Sequence, residues 1–298
     1  MNYPISFENK IIGTFGEEGK VWLNKLESII QFYLNKWELE LISPVENLSY
    51  NYILQVKDAA GTPAILKLGI AGDSAENEIR TLHLYDGNGC VKLLKEDAKG
   101  GAMLLEHLLP GTMLVVEKDE KLAVKHFAQV WKKTRRPAPP NSTNPSIAEW
   151  IKAFELRTSI ISSQHIQQAK AYFTEIMNAS TGEELLHGDL HHENILYDHT
   201  GGWIAIDPKG VIGDRYFDVI AFLTNQLFHK ENPKEALQKR VDLLCEALEF
   251  DKERLLKAGF VMSILFTCWG IEDNDSIWRN TYTCAKWFEE LINNIDYN

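Results

Sequence analysis

The sequence lacks most of the features that assign a protein quickly. Cysteine is scarce: Cys90, Cys245, Cys268 and Cys284 are the four in 298 residues, and no two fall in a CxxC pair. That spacing excludes a disulfide framework and a cysteine zinc site; it reads as buried thiols in a reducing compartment, the cytoplasm. Positive charge is in deficit as well. Lys and Arg number 31 against 42 Asp and Glu, a formal charge of −11, whereas a protein that grips nucleic-acid backbone needs a strongly basic face. MNYPISFENK has no basic stretch leading into an apolar core, so no signal peptide is expected. The most apolar run, Phe260 to Trp269, is too short to span a bilayer and reads as a buried helix, so no membrane partner is expected. What remains is an ordinary composition, 45% hydrophobic and 24% charged, able to bury a full core in one or two domains.

Patterning changes along the chain. Residues 21–37 place Val21, Leu26, Ile29, Ile30 and Tyr33 at helical spacing, which predicts an amphipathic helix. WELELISPV, NYILQVKDA and PAILKLGI then read as strands, DSAENEIRTLHLYDG as a helix, and CVKLLKED and GAMLLEHL as two more strands. Leu108-Leu109-Pro110-Gly111-Thr112 is the expected linker. Beyond it, helical patterns are predicted at 117–136, 146–160, 163–180, 215–229, 232–249, 251–270 and 276–294, with a proline-rich surface loop at 137–145. The expectation is an α+β chain, with residues 1–107 forming a small β-rich lobe and 108–298 a helical one.

The strongest local signal is His187-Gly188-Asp189-Leu190-His191-His192-Glu193-Asn194. It fits H-x-D-x-x-x-x-N, the catalytic-loop spacing in which an Asp takes the substrate hydroxyl proton and an Asn holds magnesium. A hairpin supports it: Ile195 to Asp198 and Trp203 to Asp207 are short apolar runs around His199-Thr200-Gly201-Gly202. If Asp198 pairs with Trp203, Asn194 lies opposite Asp207, with Cβ atoms about 5 Å apart. Two hard oxygen donors would then converge, as Mg2+ requires when phosphates complete its shell. A zinc reading of the same histidines fails, because the string beginning His192-Glu193 has Leu196 where HExxH needs its second histidine.

Phosphoryl transfer also asks for a strand lysine paired with a helix glutamate. Lys67, between Leu66 and Leu68, is the lysine. Glu76 and Glu78 compete to pair with it; Asp73-x-x-Glu76 fits a capping box, which leaves Glu78 as the expected partner. The phosphate-covering turn, Glu46-Asn47-Leu48-Ser49-Tyr50-Asn51, has no G-x-G-x-x-G; Ser49 and backbone amides are its candidate phosphate contacts.

HGDLHHENIL, WIAIDPKGVIGD and RYFDVIAFL together resemble the aminoglycoside phosphotransferase superfamily, most like its streptomycin 6-kinase branch of aminoglycoside/hydroxyurea resistance kinases. The resemblance covers roughly residues 40–275. It implies a bilobal protein-kinase-like fold, with Asp189 as catalytic base and Asn194 and Asp207 binding Mg2+. By the same likeness Lys67, held by Glu78, meets the ATP phosphates, the Glu106–Leu108 backbone meets adenine, and Asp218 braces the catalytic loop.

Departures from protein kinases point to a small acceptor: Gly188 replaces their arginine, Asp207 is followed by Pro208-Lys209, and no A-P-E segment exists. The implied partner is a small cationic hydroxylated substrate such as streptomycin, with Trp269 as a wall and Glu272, Asp273 and Asp275 as an acidic cluster. Two alternatives stay open: another hydroxylated metabolite or hydroxyurea as acceptor, and a non-catalytic nucleotide-binding regulator. No feature sets an oligomeric state.

Overall fold

Alternation of apolar and polar residues organises the first part of the chain into an antiparallel sheet of order β1-β2-β3-β5-β4 in the computed structural model, which describes residues 3–45, 48–156 and 158–295. Its strands are β1 (Glu40–Pro44), β2 (Tyr52–Lys57), β3 (Pro63–Leu68), β4 (Leu93–Asp97) and β5 (Ala102–Glu106). Leu54 pairs with Leu66 and Leu66 with Leu104, so these three leucines share one face; Ile53, Lys67 and Met103 share the other. The leucine face is packed against α1 (Ile5–Lys36), through Phe7, Ile11, Trp22, Leu26, Ile30 and Tyr33.

That helix begins well before the predicted 21. It folds back on itself at Gly16 (φ 56°, ψ −127°), and at Gly19 an added Cβ would lie 2.7 Å from the Ile11 carbonyl oxygen. Glycine at both places lets the two arms approach. The opposite sheet face receives α2 (Asp73–Tyr85). The expected Asp73–Glu76 capping box is absent: the N-cap is Gly72, without a side-chain cap.

The chain forms two compact units, one ending at Gly111 and including Asp198–Thr200, the other built from Thr112–Tyr197 and the residues from Gly201 onward. In the second, β8 (Glu184–Leu186) lies between β7 (Arg136–Pro137) and β11 (Val211–Gly213); β6 (Pro110–Met113) runs across the division in sequence, and β9 (Ile195–Asp198) is followed by β10 (Gly202–Ala205). Around these strands stand α3 (Glu120–Thr134), α4 (Ile147–Trp150), α5 (Ser163–Asn178), α6 (Ile220–Thr224), α7 (Pro233–Leu248), α8 (Lys252–Glu272) and α9 (Trp278–Ile295). Gly259 lets α9 seat on α8, since a Cβ there would lie 2.4 Å from the Phe288 ring. By length and hydropathy α8 could cross a bilayer, unlike the shorter run weighed from sequence, but its residues from Leu255 to Cys268 are mostly buried inside this unit.

Two of the predicted helices are broken. Residues 146–160 yield α4, started by a Ser146–Glu149 capping box, then a 3-10 turn over Ile151–Glu155. Residues 215–229 yield a 3-10 turn, α6, and a left-handed residue at Gln226 (φ 59°) that ends the pattern. The latter turn is held by Arg240 of α7, which is 1% exposed. Its guanidinium donates to the carbonyls of Phe222, Leu223 and Asn225 and to both carboxylate oxygens of Glu120 in α3.

Candidate active site

The motif segment 187–194 links β8 to β9, and its backbone is pinned at nearly every step. His187 is fully buried, and burial pushes its pKa down to about 3, so the ring is neutral. Nε2–H therefore donates to the Ile206 carbonyl at 2.9 Å, while Nδ1 accepts from the Asp189 N–H at 3.3 Å. The His187 carbonyl accepts from Lys209 N–H (2.7 Å) and Gly210 N–H (3.2 Å), tying the loop to the residues after β10. Gly188 N–H donates to Asp218 Oδ1 at 2.8 Å. Burial raises the Asp218 carboxyl to about 6, opposed by the backbone N–H groups of Gly188 and His187. Asn194 Nδ2 donates to the Asp189 carbonyl at 2.8 Å.

Gly188 has φ +80°, and a Cβ on it would lie 2.9 Å from Val211 Cγ1 and 3.1 Å from both Lys209 Cβ and Trp150 Cη2. No side chain fits where protein kinases carry arginine. The Trp150 indole that closes this space makes an edge contact with Trp269, ring centroids 5.2 Å apart at 75°. Trp150 was not legible as a site residue, since nothing in local spacing links it to the loop. Glu272 and Asp273 end α8, one turn beyond Trp269, and both are exposed.

Asp189 itself is 38% exposed at its side chain. Its recess still dehydrates it enough to raise its pKa above the usual carboxylate value, against the pull of His191 and Lys209. Among the described residues its carboxylate accepts no hydrogen bond; His191 Nε2 lies 3.6 Å from Oδ1. His191 Nδ1 lies 2.9 Å from Glu193 Oε2, and Gln226 Nε2 donates to Glu193 Oε1. Burial works against the charged form of His191, yet the Glu193 hydrogen bond and the Asp189 and Glu193 charges outweigh it, and its pKa is raised. His192 points elsewhere: it stacks on Phe222 at 4.3 Å, and burial drives its pKa down to about 3.

The hairpin after Asn194 forms, with a register that corrects the sequence reading. Ile206 N–H donates to the Asn194 carbonyl at 2.9 Å, so Asn194 stands against Ile206 rather than Asp207. The cause is Gly202: at φ +75° it opens β10 instead of closing the loop. Asp207 follows at φ +58°, turned out of the strand. The donor set still suits Mg2+: with its amide nitrogen committed to Asp189, Asn194 keeps an oxygen as its ligand atom, and Asp207 adds a carboxylate. Among the described residues no group of three or more His, Cys, Asp and Glu side chains forms a cage of its own.

In the first unit, Lys67 is 2% exposed and its Nζ donates to Glu78 Oε1 at 2.5 Å, on the sheet face away from α1. Glu106 is more occupied than the sequence suggested: its N–H donates to the Lys92 carbonyl (3.0 Å) and its side chain accepts the Lys92 N–H (2.7 Å). Leu108, two residues on, is buried. Ser49 lies exposed in the β1–β2 turn, whose Glu46 and Asn47 fall outside the described residues.

Comparison with known proteins adds identity to this geometry. Residues 37–274 match the family described as aminoglycoside/hydroxyurea antibiotic resistance kinase. Streptomycin 6-kinase of Streptomyces griseus is 29% identical over 269 residues, 87% of each chain. Hydroxyurea phosphotransferase of Kitasatospora aureofaciens is 28% identical, covering 87% of this chain and 77% of the relative. Among solved structures, choline kinase LicA from Streptococcus pneumoniae superposes with a TM-score of 0.66 at 16% identity, over 89% of this chain and 99% of that one. The fold is therefore the α+β, protein-kinase-like fold, with a β-sheet N-terminal region and a helical C-terminal region.

Proposed function

We propose, from the premise that this chain belongs to the aminoglycoside/hydroxyurea antibiotic resistance kinases, that it transfers the γ-phosphoryl group of ATP to a hydroxyl of a small cationic acceptor, an aminoglycoside such as streptomycin. The observation that carries this reading is the catalytic loop. Asp189 has its own N–H and carbonyl and the preceding N–H all fixed, while among the described residues its carboxylate meets no hydrogen-bond donor. A base so held can accept a hydroxyl proton as the oxygen attacks phosphorus, with little reorganisation at the moment of transfer. Lys67, fixed by Glu78, would neutralise ATP phosphates. Asn194 and Asp207 would hold Mg2+, which when bound supplies charge neutralisation on the phosphates. Transfer is direct in this reading, with Asp189 acting as base toward the acceptor hydroxyl and ADP as the leaving group.

Trp269, Glu272 and Asp273 are the proposed acceptor contacts, with Trp150 as an added wall. A cation is favoured by the aromatic faces, by the carboxylates, and by the negative end of the α8 dipole at Glu272. The chain's net charge of −11 is consistent with such a substrate.

The test is an ATP-consumption screen over aminoglycosides, hydroxyurea, sugars and amino alcohols, with and without magnesium. Turnover that is magnesium-dependent and selective for streptomycin-like acceptors supports the reading. Selectivity for hydroxyurea or an uncharged sugar moves the acceptor assignment, and magnesium-dependent ATP binding without transfer to any acceptor favours a nucleotide-binding regulator.

A further inference from the structure

Backbone hydrogen bonds fix where Asp189 sits, but they do not fix how its carboxylate is turned, and that carboxylate accepts no hydrogen bond from the described residues. The His191 ring stands beside it, with Nε2 at 3.6 Å from Oδ1. The ring is itself held. Its Nδ1 meets Glu193 Oε2 at 2.9 Å, and the other Glu193 oxygen accepts from Gln226. Gln226 stands at φ 59°, a conformation that a residue with a side chain seldom adopts. The turn before it is gathered by the buried Arg240, whose Nη1 lies 2.5 Å from the Asn225 carbonyl. Strained backbone of this kind persists where surrounding contacts over-determine it, and it clusters at functional sites.

We propose that Gln226, Glu193 and His191 form a side-chain chain whose end sets the orientation of the Asp189 carboxylate, with His191 acting as a positioning residue for phosphoryl transfer. The inference rests on the reading of Asp189 as the base. Glu193 holds the ring by its Nδ1 edge, which leaves the Nε2 edge toward Asp189 Oδ1, and the second carboxylate oxygen stays open to an acceptor hydroxyl. Gln226 prevents Glu193 from turning away.

The experiment measures steady-state kinetics with magnesium-ATP and streptomycin, and magnesium-dependent transfer to water as a second readout. The variants are His191→Ala, Gln226→Gly, their double variant, and Asp189→Asn. A misdirected catalytic group costs up to about 100-fold, so His191→Ala is expected to lower kcat by roughly 10- to 100-fold with both KM values nearly unchanged. Gln226→Gly relaxes the backbone while removing the amide, so it is expected to keep its unfolding temperature and still lose kcat, about threefold to tenfold. Because both act through one chain, the double variant is expected to match His191→Ala alone.

The proposal is overturned if His191→Ala keeps kcat near that of the unsubstituted protein, if its loss lies in KM, or if the two losses multiply. Should His191→Ala fail to fold, Gln226→Gly decides: kcat unchanged there overturns the chain. Undiminished turnover in Asp189→Asn removes the base reading whatever His191 does. An unsubstituted protein that transfers to none of the screened acceptors, streptomycin, hydroxyurea, sugars and amino alcohols, nor to water overturns the kinase reading and this inference together.

Discussion

Replacing Glu120 with glutamine should unfold the helical unit early. Arg240 is 1% exposed at its side chain and Glu120 13%, and the two share charge-assisted bonds at 2.7 and 3.2 Å. Removing one partner of such a buried pair costs about 3–5 kcal/mol, because the remaining charge is left in a poorly hydrated place. A second route gives a similar size. Burial raises the Glu120 pKa, but Arg240 and Lys230 overcome this and hold it at about 2, against an ordinary value of 4.5. At about 1.4 kcal/mol per unit, that depression contributes roughly 3 kcal/mol at neutral pH. A loss of that size corresponds to roughly 6–12 °C in unfolding temperature for a unit of this size.

The sign with pH is fixed. A depressed carboxyl stabilises fully above its unfolded pKa and loses that contribution as pH falls through the folded one. The gap between the natural protein and Glu120→Gln should therefore be constant from pH 8 down to about 5 and close as pH falls toward about 2. Chemical denaturation followed by tryptophan fluorescence at several pH values measures it. A difference under about 1 kcal/mol at pH 7, typical of an exposed pair, or one that grows on acidification, would refute the reasoning.

Gly188→Ala should destabilise by roughly 2–5 kcal/mol, combining a left-handed φ on a residue with a side chain with overpacking against Val211, Lys209 and Trp150; a variant as stable as the natural protein in thermal unfolding contradicts this. Lys67→Met should raise KM for ATP or depress turnover while Glu78→Gln does so more mildly, read in initial rates; equal rates in all three would remove the pair from nucleotide binding. Asp218→Asn keeps an acceptor for Gly188 N–H but weakens the hold on His187 N–H, so kcat should fall about tenfold with little change in unfolding temperature, since a costly buried carboxyl is also removed. Unchanged kcat there would deny the brace a role in the base's position.

What the sequence revealed and what it hid have physical reasons. Lys67 was legible because it sits in an alternating apolar strand; Glu78 was reached by giving Glu76 to a capping box that does not form, yet Glu78 is the carboxylate that meets Lys67. The five-stranded sheet was legible from the same strand alternation. The first arm of α1 was not, because Gly13 and Gly16 and several charged residues mask its apolar spacing, and only the fold-back at Gly16 lets Phe7 and Ile11 reach the core. The hairpin register slipped by one because a positive φ at Gly202 cannot be read from a Gly-Gly pair, where either glycine suits the turn. The Trp150 contact and the Gln226–Glu193 bond join residues far apart in the chain, and no local pattern encodes them.

The most direct test of the account is mass spectrometry of the acceptor after incubation with magnesium-ATP, run with the natural protein and with Asp189→Asn. The expected product is an acceptor carrying one added phosphoryl group on a hydroxyl, formed only with magnesium and nearly absent with Asp189→Asn. ATP converted to ADP and inorganic phosphate alone, or phosphorylated acceptor formed equally well by Asp189→Asn, would contradict it.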